Sequence, residues 1–316
     1  MLENGAETIV EQCLKIKEGE DVVVVNDGND QELIDTLVQK ISEVTDSYEL
    51  IEYEEPSEHG EEPPGKIAEK LKQADVFLAP TKKSISHTDA RRNANENGAR
   101  GATLPGITQE IWNTSLQADY GRVERLSEKV YSLLEDTDTV HIETSTGTDL
   151  KIDVDIDYFE VDTGMIHERG EFGNLPAGEA DGASLNARGT LVIDHFPIVD
   201  GSEGAKIRIE DNEVVEIEGG EEFREALFST DGGRNVAEFG FGTNEEATLI
   251  GNILQDEKVL GTVHIAFGDN SSYVPKGDDN RVNCPLHWDV VCERPTVRFD
   301  DQLILDRGEP VFLNDL

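Results

Sequence analysis

The chain has 316 residues, of which 36% are hydrophobic, and 68 Asp and Glu face only 27 Lys and Arg, giving a net charge of −41. This length fits two domains of ordinary size. A charge this negative repels phosphate backbones and anionic lipids, so the composition argues against binding to nucleic acid or to a membrane surface.

The acidic residues are scattered between apolar runs and form no long blocks, which indicates a folded chain. Scattered carboxylates with few lysines suit a surface that holds water and cations in concentrated salt. We therefore interpret the chain as halophilic, the protein of a salt-adapted organism. Most of its Asp and Glu are expected to be solvated, so a carboxylate needs a special context to indicate function.

Cysteine usage and the N-terminal segment indicate the compartment. Cys13, Cys284 and Cys292 form no spaced framework, which argues against a disulfide scaffold and for a reducing interior. The N-terminal segment has neither the basic region nor the apolar stretch of a secretory signal. No apolar run approaches the ~20 residues that a membrane helix needs. These features predict a cytoplasmic protein.

The N-terminal part alternates predicted strands and helices. Strands are predicted at 21–26, 49–53 and 74–79, an amphipathic helix at 31–44, and further helices at 66–73 and 119–135. This alternation predicts a parallel α/β domain over residues 1–138. The first strand is followed by an acidic turn and not by a G-x-G-x-x-G loop, so a dinucleotide site is rejected.

From about residue 139 the pattern changes to short β-like runs separated by glycine turns. Such runs lie at 139–144, 149–154, 190–195, 205–210 and 213–217. We predict a second, β-rich α+β domain over residues 139–316 that binds metal. The predicted fold class of the whole chain is α/β.

Two glutamates in this second domain have a context that a solvated carboxylate lacks. Glu179 follows a Pro and a Gly in the turn GNLPAGE, which fixes the backbone ahead of the carboxylate. Glu238 lies in the apolar, aromatic run VAEFGFG, where a Glu is rarely buried unless it is paired or metal-bound. The alternatives are an exposed turn residue and an edge-strand residue that faces water.

Two histidines and an aspartate complete the candidate ligands. His264 lies in the alternating run GTVHIAFG, although a lone strand His is more often a core residue than a ligand. His287 and Asp289 are two residues apart in PLHWD, so a strand would present both on one face, where they can chelate one ion.

Three carboxylates and two imidazoles suit zinc, cobalt, manganese or iron. Charge counting favours two divalent ions, because three carboxylates then leave +1, which a bridging hydroxide neutralises. Two metals ~3.5–4 Å apart activate a water and polarise a carbonyl together, which is the chemistry of amide hydrolysis. We expect Glu179 to bridge the two ions.

The segments GNLPAGE, AEFGFGTN, GTVHIAFGDN and PLHWD, in this order, resemble the thermophilic metalloaminopeptidase family, the aminopeptidase T and S group, and most of all its short leucyl-aminopeptidase-like forms. The resemblance implies a homodimeric hydrolase that releases N-terminal amino acids from peptides by a metal-activated water. It implies that the dinuclear site is held by Glu179, Glu238, His264, His287 and Asp289. Catalytic proton transfer is expected from Glu238 or Tyr273, although the spacing before Tyr273 departs from the family pattern.

Two alternatives remain open. The same fold family contains 2,5-dihydroxypyridine dioxygenase, which is similar at Glu238, His287 and Asp289 and implies a mononuclear iron enzyme that cleaves an aromatic ring. The retention of Glu179 and His264 favours the two-metal hydrolase. A binding protein that keeps the metal ligands without turnover is the third class. In each case the expected partner is a peptide or small molecule.

Overall fold

The computed structural model of the protein describes residues 2–315, which divide into two compact units. The first unit comprises Met1–Glu124 and Thr163–Ala177, and the second comprises Arg125–Asp162 and Gly178–Leu316. The sequence predicts one boundary at residue 138, whereas the chain first passes into the second unit after Glu124.

The first unit is built around a parallel sheet. Its helices are α1 (Leu2–Glu7), α2 (Gln31–Val44), α3 (Gly65–Gln73), α4 (Asp89–Glu96), α5 (Gln109–Trp112) and the start of α6 (Tyr120–Leu134), with a π-helical turn at Thr8–Cys13 and a 3-10 turn at Ser115–Gln117. Its strands are β1 (Val22–Asn26), β2 (Tyr48–Glu52), β3 (Val76–Ala79), β4 (Arg100–Thr103) and β8 (Phe172–Asn174). They pair in the order β2-β1-β3-β4-β8, all parallel. Strand β1 is buried throughout, as its β-branched run predicts.

The second unit contains two antiparallel sheets. Its strands are β5 (Thr139–Glu143), β6 (Asp149–Asp153), β7 (Phe159–Asp162), β9 (Glu179–Ala183), β10 (Ala187–Val192), β11 (Lys206–Glu210), β12 (Glu213–Glu218), β13 (Val236–Gly242), β14 (Val263–Gly268), β15 (His287–Cys292), β16 (Thr296–Phe299), β17 (Gln302–Asp306) and β18 (Glu309–Pro310). Its helices are α7 (Glu221–Ser229) and α8 (Ile253–Asp256), with 3-10 turns at Ile156–Tyr158 and Phe312–Asp315. An eight-stranded sheet runs β12-β11-β10-β6-β5-β16-β17-β18 and a five-stranded sheet runs β15-β14-β13-β9-β7.

The α/β fold class predicted from the sequence is confirmed, with a parallel sheet in the first unit and antiparallel sheets in the second. Leu126, Val130 and Leu134 of α6 belong to the hydrophobic core of the second unit. This packing explains why the second unit begins before the predicted boundary. Every helix within residues 2–315 is too short or too polar to cross a membrane.

One hydrophobic core joins the two antiparallel sheets. It brings Ile142 and Ile152 of the eight-stranded sheet together with Phe239, Ile265 and Val290 of the five-stranded sheet. Because successive strand residues point to opposite faces, the residues between these apolar ones lie on the other face of the five-stranded sheet. That second face carries the candidate ligands.

Candidate metal centre

The five predicted metal ligands all lie on neighbouring strands of the five-stranded sheet. Glu179 opens β9, Glu238 lies in β13, His264 in β14, and His287 and Asp289 in β15. The register sets Gly242 opposite Glu179, Gly240 opposite His264, and Ala266 opposite both Glu238 and Asp289. The small partners leave room for the polar side chains, which therefore share one face.

Four of the five ligands converge around the Glu238 carboxylate. His264 Nε2 lies 3.0 Å from Glu238 Oε1, and His287 Nε2 lies 3.1 Å from Glu238 Oε2. His287 Nε2 is also 3.3 Å from Asp289 Oδ1. Glu238, His264 and Asp289 each offer a donor atom, and these atoms lie within 4.8 Å of one another. The cluster is compact enough for one metal ion to contact several of its donors.

Glu179 stands apart from this cluster because a lysine engages it. Lys258 Nζ forms an ion pair with Glu179 Oε1, and it lies 2.7 Å from Glu257 Oε1. Glu179 Oε2 is 3.8 Å from His264 Nε2 and has no hydrogen-bond partner within residues 2–315. The structure therefore places Glu179 beside the other four candidate ligands and pairs it with the ammonium group of Lys258.

The orientation of each imidazole is fixed by its neighbours. His287 Nδ1 lies 2.8 Å from the Asp269 carbonyl oxygen, which can only accept, so Nδ1 carries the proton and Nε2 has the free lone pair when the ring is neutral. The His264 ring lies over Gly240, where any Cβ would overlap it. His264 Nδ1 is buried without a hydrogen-bond partner in the described part of the chain.

The charges of the cluster stabilise one another. Burial alone would raise the pKa of Glu238, but hydrogen bonds from His264 and His287 together hold it below its ordinary value. Burial would lower the pKa of His264, but the hydrogen bond to Glu238 and the charge of Glu179 raise it to about 9. The pKa of His287 is raised as well, since Asp289 and Glu238 outweigh burial. Without a metal the imidazoles serve as the cations of the site.

A second polar pair lies on the same sheet. Tyr273 Oη donates to Asp181 Oδ2 at 2.6 Å, and Asp181 sits opposite Gly240 in the pairing of β9 with β13. Asp181 Oδ1 is buried and has no partner among the described residues. Burial raises the pKa of both side chains, so Tyr273 keeps its proton and remains a hydrogen-bond donor.

Sequence reasoning missed Asp181 and Lys258. Asp181 follows Glu179 by two residues, the same spacing that singled out His287 and Asp289, so strand alternation could have found it. Lys258 follows the short helix α8, where no periodic pattern indicates the direction of a side chain. Its place beside Glu179 depends on tertiary structure.

The donor set fits a divalent transition metal. Two imidazoles and a carboxylate are the usual holders of non-haem iron(II) in oxygenases, and His264, His287 and Asp289 supply this combination. Glu238 provides a further carboxylate between the two rings. The buried, unpartnered Glu179 Oε2 and His264 Nδ1 are also typical of a site whose hydrogen bonds are incomplete in the protein alone.

The family model of NicX, 2,5-dihydroxypyridine 5,6-dioxygenase, matches residues 6–312. Among solved structures, 2,5-dihydroxypyridine dioxygenase from Pseudomonas putida KT2440 shares 16% identity with a TM-score of 0.78, covering 98% of this chain and 96% of that one. Wild-type AmpT from Thermus thermophilus shares 18% identity with a TM-score of 0.70 and covers 98% of both chains. No curated protein sequence matches. At these identities the two structures show a common fold.

The predicted metalloaminopeptidase activity is wrong, and with it the assignment to hydrolases and proteases. The model that matches almost the whole chain is that of a dioxygenase family, and a dioxygenase is also among the similar structures. The resemblance to the aminopeptidase group holds in part, since AmpT has the same fold. The four recognised segments carry the candidate metal donors, and such donors serve hydrolysis and oxygenation alike.

Proposed function

The chain belongs to the NicX family, 2,5-dihydroxypyridine 5,6-dioxygenase, and on this basis we propose that it is an iron-dependent dioxygenase that opens a dihydroxylated pyridine ring. The observation that carries the proposal, beyond membership, is the meeting of two imidazoles at the Glu238 carboxylate. His264 and His287 approach its two oxygens at 3.0 and 3.1 Å.

The residues that would hold the iron are His264, His287 and Asp289, with Glu238 as a fourth donor. This set supports iron because two neutral imidazoles and one carboxylate leave coordination positions open. When bound, ferrous iron supplies the capacity to activate dioxygen beside an aromatic ring. The Asp269 carbonyl holds His287 in the tautomer that ligation needs.

In ring opening across the 5,6 bond, both atoms of dioxygen enter the product and the C5–C6 bond breaks, so no other oxidant is consumed. The ring becomes more reactive toward dioxygen when one of its hydroxyl groups loses a proton. We assign acceptance of that proton to Asp181 Oδ1, the free oxygen of the carboxylate that Tyr273 holds, because burial raises the pKa of Asp181 and makes its ionised form a stronger base than an exposed aspartate. Tyr273, expected from the sequence to move a proton, then acts through Asp181 as a positioning residue.

Oxygen uptake tests the proposal most directly. The chelated, anaerobic protein is loaded with Fe(II) and, in parallel, with Zn(II) or Mn(II), and each sample receives 2,5-dihydroxypyridine and air-saturated buffer. We expect consumption of one dioxygen per ring with Fe(II) alone, together with loss of the aromatic absorbance. Binding of the ring without oxygen uptake would indicate a binding protein instead. Absence of both would overturn the proposal.

The expected homodimer follows only from the resemblance to the aminopeptidases and stays a prediction. The proposed substrate is a small aromatic molecule, and every residue assigned a role above belongs to a single chain.

A further inference from the structure

Lys258 is a buried cation inside the candidate metal centre. Its side chain is 5% exposed, and the two carboxylates that flank it, Glu179 and Glu257, are 7% and 13% exposed. An ammonium at this depth is stable only when carboxylates surround it. Glu179 and Glu257 both contact the ammonium and so stabilise its charged form.

The backbone around Lys258 sets the position of this charge. The Lys258 amide donates to Gln255 O at 2.9 Å, and the Lys258 carbonyl accepts from the Asn244 amide at 2.9 Å. Asp256, two residues before Lys258, is fully buried and accepts a hydrogen bond from His195 Nε2 at 2.7 Å. These hydrogen bonds position the backbone that carries the Lys258 side chain.

A close backbone approach brings this loop to Glu179. Gly242 of β13 lies directly opposite Glu179 in β9, and a Cβ on Gly242 would overlap the backbone of Lys258 and Val259. Only a glycine lets residues 258–259 pack at this point of the sheet. The fold thus places Lys258 beside the carboxylate that the sequence suggested as a bridge between two metal ions.

Lys258 competes with a second ion for Glu179. A metal bridge through both Glu179 oxygens would need Oε1, which Lys258 engages, and any bridge there would place a divalent cation next to an ammonium. The Lys258 ammonium supplies a positive charge at Glu179, where a second divalent ion would otherwise supply it. Glu257 faces Lys258 as a further carboxylate.

We propose that the Lys258 ammonium takes the place of a second cation at Glu179 and limits the centre to one divalent ion, held by Glu238, His264, His287 and Asp289. The inference rests on the proposed function for the identity of the ion. The number of ions, however, can be measured without turnover. A protein that binds one ion but opens no ring would refute the function and leave this inference standing.

The test is a count of bound metal in the full-length protein and two variants. Wild type, Lys258→Met and Lys258→Arg are equilibrated with excess Mn(II) at pH 8, freed of unbound ion, and analysed by plasma mass spectrometry, with circular dichroism as the check of folding. We expect one ion per chain in wild type and in Lys258→Arg, which keeps the charge, and two in Lys258→Met.

Two ions in wild type, or one ion in folded Lys258→Met, would overturn the proposal. If Lys258→Met does not fold, anomalous diffraction from wild-type crystals soaked in excess Mn(II) shows whether one or two ions bind. A single peak at the four donors, with Lys258 on Glu179, supports the inference. A second peak at Glu179 with Lys258 displaced refutes it.

Discussion

Gly240 lies directly opposite His264 in the β13–β14 register, and the imidazole occupies the space where a side chain on residue 240 would stand. The ring therefore packs against the backbone of Gly240, with Nε2 3.0 Å from Glu238 Oε1. A methyl group at this position would displace the ring from the donor cluster.

Gly240→Ala is expected to weaken metal binding by at least about tenfold and to lower stability by about 1–3 kcal/mol, because the added Cβ overlaps a fully buried ring. Isothermal titration with Mn(II) and urea unfolding measure the two effects. Gly65→Ala is the matched control, since a Cβ there meets nothing within 4 Å. Equal metal affinity in both variants would contradict the account of Gly240.

His287→Ala should reduce iron-dependent oxygen uptake by about 100-fold or more, because the variant loses a donor that contacts both Glu238 and Asp289. Uptake is measured at saturating Fe(II) and again at limiting Fe(II), which separates lost affinity from lost rate. The control is His141→Ala, which removes a histidine paired with an exposed aspartate on the eight-stranded sheet. We expect this control to stay within about twofold of wild type.

Strand alternation was sufficient to predict that His287 and Asp289 share a face, because a period of two depends only on local geometry. It could not predict Lys258, whose approach to Glu179 depends on the backbone contact at Gly242. The sequence also singled out five candidate metal donors without distinguishing hydrolysis from oxygenation. That distinction depends on which ion is bound and on which coordination positions remain open, and the donor motifs specify neither.

The division into units illustrates the same limit. The sequence predicted a helix at 119–135, which the structure places at Tyr120–Leu134. Spacing alone does not say which core a helix joins. Leu126 and Val130 pack in the second unit, so tertiary packing decided a division that the sequence placed after the helix.

Tyr273→Phe is expected to lower kcat for ring opening by about tenfold and leave the metal content unchanged, since it removes the hydrogen bond that holds Asp181. The role as a positioning residue predicts a larger change in kcat than in KM. Tyr158→Phe serves as the control, because it removes a similar tyrosine–aspartate bond, to Asp278, at 2.7 Å. Loss of metal in Tyr273→Phe would contradict the assignment.

The stability of the metal-free protein should fall as the pH rises from about 6.5 to about 9. Burial opposes the charged form of His264, but Glu238 and Glu179 raise its pKa from 6.5 to about 9 in the folded state. A group whose pKa is higher in the folded protein stabilises the fold fully when the pH is below its pKa in the unfolded chain. That stabilisation is lost as the pH rises past its pKa in the folded protein. Urea unfolding of chelated protein at pH 6.5, 8 and 9 measures the slope.

Metal affinity should change in the opposite direction over this range. Because an imidazole binds metal only when neutral, binding must displace the proton of His264, and the affinity for Mn(II) rises toward pH 9.

The His264→Gln variant is the control for the stability prediction. In this variant the free energy of unfolding of the metal-free protein should depend less on pH than it does in wild type. An unchanged slope in this variant would assign the effect to other groups.

The net charge of −41 predicts that the folded state needs salt. Repulsion among 68 carboxylates destabilises a compact chain at low ionic strength, and at 1 M salt the Debye length falls to about 3 Å, so most of that repulsion is screened. We expect the thermal midpoint to rise by ten degrees or more between 0.1 and 2 M KCl. Sucrose also stabilises compact states, but it does so by exclusion from the surface and not by screening. A rise in sucrose equal to that in KCl would remove the electrostatic explanation, whereas a rise specific to KCl would support the salt-adapted interpretation.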